Sequence, residues 1–150
     1  WTAKSLGLNS FSSAQNLYNL LDQRVSREVI PACERFQVGL LPYFPLASGM
    51  LTGKYLRGEA PDKGTRLASM GERGRAALTD AAFDRFDQYQ KYAQDAGRSI
   101  LELAMSWLAR QDVVSSVIAG ATSAMQVKQN VEAAQWSLSK SDLFDIGKLS

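Results

Sequence analysis

Histidine is missing altogether from these 150 residues, cysteine occurs once and proline four times. Without histidine the chain holds no Ser-His-Asp triad, no Cys-His pair, no His-ligated zinc and no imidazole acid or base. The lone Cys33 allows no internal disulfide, which fits a reducing cytoplasm better than a secreted scaffold; within IPACERF it reads as a packing residue. No apolar run reaches the roughly 18 residues of a membrane span, and the opening WTAKSLGLNS has no signal-peptide core. Charge of either sign is also not in excess. With 17 basic and 15 acidic residues and a net charge of +2, the chain lacks the concentrated basic face of a nucleic-acid binder. Neither nucleic acid, membrane nor metal is an expected partner, and any anion bound should be small and locally held.

What is present is an ordinary globular composition, 45% apolar and 21% charged, in a chain the size of one domain. The richest stretch is Val38 to Tyr55, VGLLPYFPLASGMLTGKY. An apolar run meets an aromatic and then Pro45, and passes through a small-residue turn to Lys54. Parallel strands buried on both faces read as such runs, and ligands sit beyond their carboxyl ends. This is the pattern of a strand that delivers a binding loop.

Around it, elements alternate. Phe11 to Gln15 suggests a strand ending at a polar mouth, and Ser26 opens a helix through Cys33 and Phe36 with Pro31 near its start. Residues 57–79, rich in glycine and charge, read as a long mobile loop. From Thr79, apolar residues Ala82, Phe83, Phe86, Tyr89, Tyr92 and Ala93 recur at helical spacing up to Gly97. Ser99 with Glu102 forms a capping-box pattern for a helix that packs Ile100, Leu103, Ala104, Trp107 and Leu108. Val113 to Ala119 reads as a third β segment, Ser123 to Trp136 as a helix, and Lys140 to Leu149 as a last helix after Ser139. Alternating α and β elements imply parallel strands, but three strands cannot close a barrel that typically takes about 250 residues. The expected fold is α/β, part of a (β/α)8 barrel.

Three strand ends carry polar or aromatic groups: Gln15 with Asn16, Tyr43 with the PLASG turn, and Gly120-Ala121-Thr122-Ser123 opening a helix. In the last, free N–H groups, the helix dipole and two hydroxyls suit a phosphate, and Gln126, Gln129 and Asn130 follow on one helix face. Each feature has a plainer reading. Ser123 is a helix cap, Tyr43 a core aromatic, and Lys54 and Arg66 are solvated charges.

Taken together, FSSAQNLYNLLDQR, GLLPYFPLASGMLTGKY, KGTR, SILELAMSWLARQ and VIAGATSAMQVKQNVEA resemble, in order, the C-terminal part of the aldo-keto reductases. Bacterial reductases and potassium-channel β subunits are the most similar branches. The resemblance implies a partial (β/α)8 TIM barrel holding the last three strands, and NADP(H) as cofactor. It assigns Gln15 to the nicotinamide carboxamide and Tyr43 to the stacking face for the ring. Pro45, Leu46, Ala47 and Ser48 would pass the pyrophosphate, with Lys54 and Arg66 near the phosphates. Gly120, Thr122, Gln126, Gln129 and Asn130 would cradle the 2′-phosphate and adenine. Phe44 stands where the family usually has Ser, and Gln129 where Glu is common.

The family's catalytic Asp, Tyr, Lys and His come from the first half of the barrel, so no catalytic residue is assigned in this chain. Tyr18 is not assigned as the acid, because the family's acid lies in a different loop. The implied function is the cofactor-binding part of a reductase of small aldehydes or ketones, completed by an N-terminal half. The alternatives are a non-catalytic nucleotide-sensing or interaction module, and a structural partial barrel that homo-oligomerises through its open strand edges.

Overall fold

A computed structural model describes residues 1–149. A short helix α1, Thr2–Ser5, precedes strand β1, Ser13–Leu17. A 3-10 turn, Arg24–Ser26, leads into helix α2, Val29–Phe36, and strand β2, Gly39–Tyr43. A segment of 3-10 turns broken by a kink at Ser48 and Gly49, Ala47–Thr52, then leads to the short helices α3, Arg66–Ser69, and α4, Glu72–Ala76. Longer helices follow: α5, Asp80–Asp95; α6, Ile100–Ala109; α7, Ala124–Ala133; and α8, Lys140–Gly147.

The two strands pair in parallel, from Ser13 opposite Gly39 to Leu17 opposite Tyr43. Side chains alternate across a strand, so Ala14, Leu40 and Pro42 face the helical core while Gln15, Leu41 and Tyr43 share the other face. Leu40 is fully buried, as are Leu20, Leu51, Tyr89, Leu103, Leu108 and Ile146. The core therefore lies on one side of the sheet, where α5 and α6 bury their apolar stripes.

Several expectations need correction. The first strand is displaced to Ser13–Leu17, so Gln15 lies mid-strand instead of at its mouth. Pairing with β2 decides this, since FSSAQ has no apolar alternation of its own. Helix α2 begins at Val29, because the preceding residues wind as a separate 3-10 turn, and neither Ser26 nor Glu28 caps it with a side chain. Residues 57–79 are not a plain loop. They contain α3, capped by Thr65, and α4, which packs so tightly on α3 that a Cβ on Gly74 would run into the Leu67 carbonyl.

The segment Val113 to Ala119 follows β2 in parallel without forming a continuous strand. It bridges at Val114 opposite Leu40 and at Ile118 opposite Tyr43, so it carries one residue more than β2 between the two contacts. An extra residue interrupts the ladder as a bulge does. Helix α7 stops at Ala133, short of Trp136, and α8 at Gly147, short of Leu149.

The starts of α5, α6 and α8 agree with the sequence reading. Thr79 accepts from the Ala82 N–H at 3.1 Å, and both Ser99-Glu102 and Ser139-Asp142 form reciprocal capping boxes. Cys33 is buried in the core, and Tyr18 packs its ring against Trp107 at 4.9 Å between centroids.

Candidate functional site

Beyond the carboxyl end of β2 lies a cavity of about 1070 Å³. The end of β2 contributes Tyr43 to its wall and the turn after it Pro45, Leu46 and Ser48, and Lys54 and Arg66 follow. From across the fold come Gly120 and Thr122, then Gln126, Gln129 and Asn130 on α7. Residues as far apart in the chain as Tyr43 and Asn130 are thus gathered around one space. Gln15 and Ala47 are not on that wall. Gln15 is exposed, on the sheet face shared with Tyr43, and Ala47 is half-buried with its N–H donating to the Phe44 carbonyl at 3.0 Å.

The turn has an unusual backbone. Phe44, Ala47 and Ser48 have φ of 54, 47 and 57°, a left-handed region that costs side-chain-bearing residues about 1–3 kcal/mol each. Gly49 continues at φ 96°, and a Cβ there would press on the Lys54 side chain, 2.8 Å from Nζ. Such a path persists only where its surroundings enforce it. Two side chains that the sequence reading did not single out do so. Asn19, buried, donates from Nδ2 to the Phe44 carbonyl at 2.9 Å. The Tyr55 hydroxyl donates to the Ser48 carbonyl at 3.0 Å.

Electrostatics favour an anion. Lys54 and Arg66 contact rings instead of carboxylates: Lys54 Nζ lies 5.5 Å from the Tyr55 centroid, and Arg66 Cζ 5.9 Å from the Phe44 centroid. Among the described residues neither forms an ion pair, whereas Arg57 is taken up by Asp80, Asp84 and Asp87. The acidic Glu102, also on the wall, is occupied by the Ser99 N–H and hydroxyl and by Arg98, which hold its carboxyl below the usual range.

At the start of α7, Ser123 caps the Gln126 N–H at 3.3 Å, as its plainer reading has it. Gln126 Oε1 reaches back to the Thr122 N–H at 2.7 Å and hydroxyl at 3.1 Å. The opening of the helix is therefore pre-shaped by its own side chains, with Gly120 facing open space.

Wall residues that the sequence reading did not assign to a site include Thr52, Leu101, Ser99 and Glu102. The Ser99-Glu102 pattern was visible, but only as a helix start. Tyr43 also lines a second, smaller cavity of about 450 Å³ with Asn16, Leu17, Asp22 and Arg24. There Arg24 binds Asp22 through two bonds, at 2.6 and 2.9 Å, and holds that carboxyl below its ordinary value.

Residues 3–150 match the model of the aldo/keto reductase family. The chain belongs to that family. It is 36% identical to the L-glyceraldehyde 3-phosphate reductase of Escherichia coli K12 over 124 residues, 79% of this chain and 35% of that protein. A probable voltage-gated potassium channel subunit beta of Oryza sativa subsp. japonica is 36% identical over 118 residues, 77% of this chain and 36% of the subunit. The NADH-specific methylglyoxal reductase of Escherichia coli K12 is 30% identical over 128 residues, 85% of this chain and 38% of that enzyme. This aldo/keto reductase chain thus spans little more than a third of the length of these relatives. No helix among its described residues is long and apolar enough to cross a membrane.

Proposed function

We propose that this chain forms the NADP(H)-binding part of a cytoplasmic oxidoreductase that reduces small aldehydes or ketones, folded as the last three strands of a (β/α)8 barrel. The observation that carries the reading is the convergence of Tyr43, the 45–48 turn, Lys54, Arg66 and the start of α7 on one cavity. Its volume of about 1070 Å³ suits a ligand at or above the size of ordinary small-molecule sites, about 300–1,000 Å³. The donor set fits a dinucleotide phosphate as well: an aromatic face, two cations without acidic partners among the described residues, and hydroxyl and amide groups beside a helix start.

In this reading Tyr43 offers its ring to the nicotinamide, and Gln15, from the same sheet face, bonds the carboxamide. The turn Pro45, Leu46, Ala47 and Ser48 runs beside the pyrophosphate, and Lys54 and Arg66 neutralise phosphate charge. Thr122, Gln126, Gln129 and Asn130 hold the 2′-phosphate and adenine, with Gly120 allowing close approach. When bound, the nicotinamide supplies a hydride to the carbonyl carbon. The proton for the carbonyl oxygen comes from the remainder of the barrel, as do the groups that hold the substrate.

The test is a titration of the chain with NADPH and with NADH, followed by transfer of tryptophan fluorescence to the reduced nicotinamide. Saturable binding with preference for NADPH is expected. Absence of saturation with both would overturn the reading. A preference for NADH would move the chain toward the specificity named for the methylglyoxal reductase relative.

A further inference from the structure

Phe44 is the first left-handed residue after β2, and it decides in which direction the chain leaves Tyr43. A phenylalanine released from restraint returns to negative φ, since its Cβ clashes in the left-handed region. Asn19, two residues beyond the end of the neighbouring parallel strand β1, supplies the restraint. Its Nδ2 holds the Phe44 carbonyl at 2.9 Å, while its Oδ1 accepts the N–H groups of Leu21 and Asp22, each at 2.9 Å.

The turn that presents Asn19 is itself closed and anchored. Asn19 and Asp22 exchange backbone bonds at 3.1 Å in both directions. From α5, Arg85 donates to the Leu21 carbonyl at 2.7 Å and the Leu20 carbonyl at 3.0 Å, and its own buried Nε–H has no partner among the described residues. A side chain that is 2% exposed, with both ends of its amide engaged and its turn clamped by a guanidinium, has little freedom to release Phe44.

We propose that Asn19 is a positioning residue for the cofactor turn: clamped by Arg85, it keeps Phe44 left-handed and so sets Tyr43 and residues 45–49 along the cavity. The proposal rests on the functional reading only where it concerns nucleotide affinity. Its conformational part stands by itself.

The experiment uses the intact chain and its Asn19→Asp, Phe44→Gly, double and Arg85→Lys variants. Asp keeps the acceptor for Leu21 and Asp22 but cannot donate to Phe44. Hydrogen exchange is read at the Ala47 and Gly49 amides, which donate to the Phe44 and Leu46 carbonyls. N19D should speed exchange there by on the order of tenfold, with α6 unchanged, and weaken NADPH binding by a similar factor. With glycine at position 44, which takes positive φ freely, N19D should change either readout much less. Unchanged exchange at Ala47 and Gly49 in N19D, or an equal effect in both backgrounds, would overturn the proposal. Should N19D not fold, R85K decides by the same amides: faster exchange supports the clamp and unchanged exchange refutes it. If the wild-type chain binds no NADPH, the functional reading fails while the exchange comparison still tests the clamp.

Discussion

The hydroxyl of Tyr55 joins two parts of the cavity wall, donating to the Ser48 carbonyl at 3.0 Å and accepting the Leu67 N–H at 3.3 Å. One buried oxygen thereby fixes both the end of the left-handed turn and the first residues of α3, beside Arg66. Tyr55→Phe keeps the ring and its contact with Lys54 but strands a carbonyl and an amide. The expected cost is about 1–3 kcal/mol in urea unfolding, with faster hydrogen exchange at Leu67. Unchanged stability and exchange would show that water replaces the hydroxyl without loss.

Arg66 is the cation whose removal should separate the two nicotinamide cofactors. A guanidinium bond to a phosphate is worth about 1.5–3 kcal/mol, so Arg66→Ala should weaken NADPH binding by roughly tenfold or more and NADH binding by less. Arg66→Lys, which keeps charge but loses the planar fork, should fall between. Equal losses for both cofactors would indicate that Arg66 acts on the shared pyrophosphate or through its contact with Phe44, and not on the 2′-phosphate.

What could be read from the chain beforehand follows the range of the interactions. Helix starts at Thr79, Ser99 and Ser139 depend on partners three residues away, and they were legible. The apolar run to Tyr43 and the gathering of Lys54, Arg66 and α7 around it could be inferred through the family's spaced motifs. The clamp of Asn19 on Phe44 spans 25 positions and that of Arg85 on Leu21 spans 64. No periodicity encodes such bonds. The left-handed path through Phe44, Ala47 and Ser48 was equally hidden, because local rules place glycine at such angles and here only Gly49 obeys. Gln15 was misplaced by two residues because register belongs to the pair of strands and not to either one.

Ser106 should matter to stability far more than its size suggests. It is fully buried between α6 and the end of α7, donating to the Ala133 carbonyl at 2.7 Å and accepting the Trp136 N–H at 3.0 Å. Ser106→Ala leaves both groups without this partner, the Ala133 carbonyl buried and the Trp136 N–H part-buried. Equilibrium unfolding should show a loss of about 1–3 kcal/mol. Nucleotide affinity should change little, since Gln126, Gln129 and Asn130 lie earlier on α7.

The contact between α5 and α8 should be the alkaline weak point. Tyr92 donates its hydroxyl to Asp142 Oδ1 at 3.0 Å. Loss of solvation around the phenol, and then the neighbouring carboxylate, push its pKa up from 10.0 to about 12. The unfolded chain ionises this tyrosine from about pH 10, while the folded chain keeps it neutral. Its contribution is therefore complete below pH 10 and fades as pH rises toward 12. Asp142 behaves oppositely. The Ser139 hydroxyl and N–H hold it below 3.8, so its contribution is complete above that value and is lost as acid protonates it in the folded state. Tyr92→Phe should shrink the alkaline limb of stability against pH, leaving the part due to Tyr18 and Tyr89, whose pKa values burial also raises, and should leave most of the acid limb in place. Asp142→Asn should flatten the acid limb, and it should also reduce the alkaline one because the carboxylate that disfavours the phenolate is gone. Urea midpoints for the three proteins between about pH 2 and 12 make the comparison. Parallel curves for wild type and Y92F above pH 10 would show that the tyrosine titrates as freely in the folded chain as in the unfolded one.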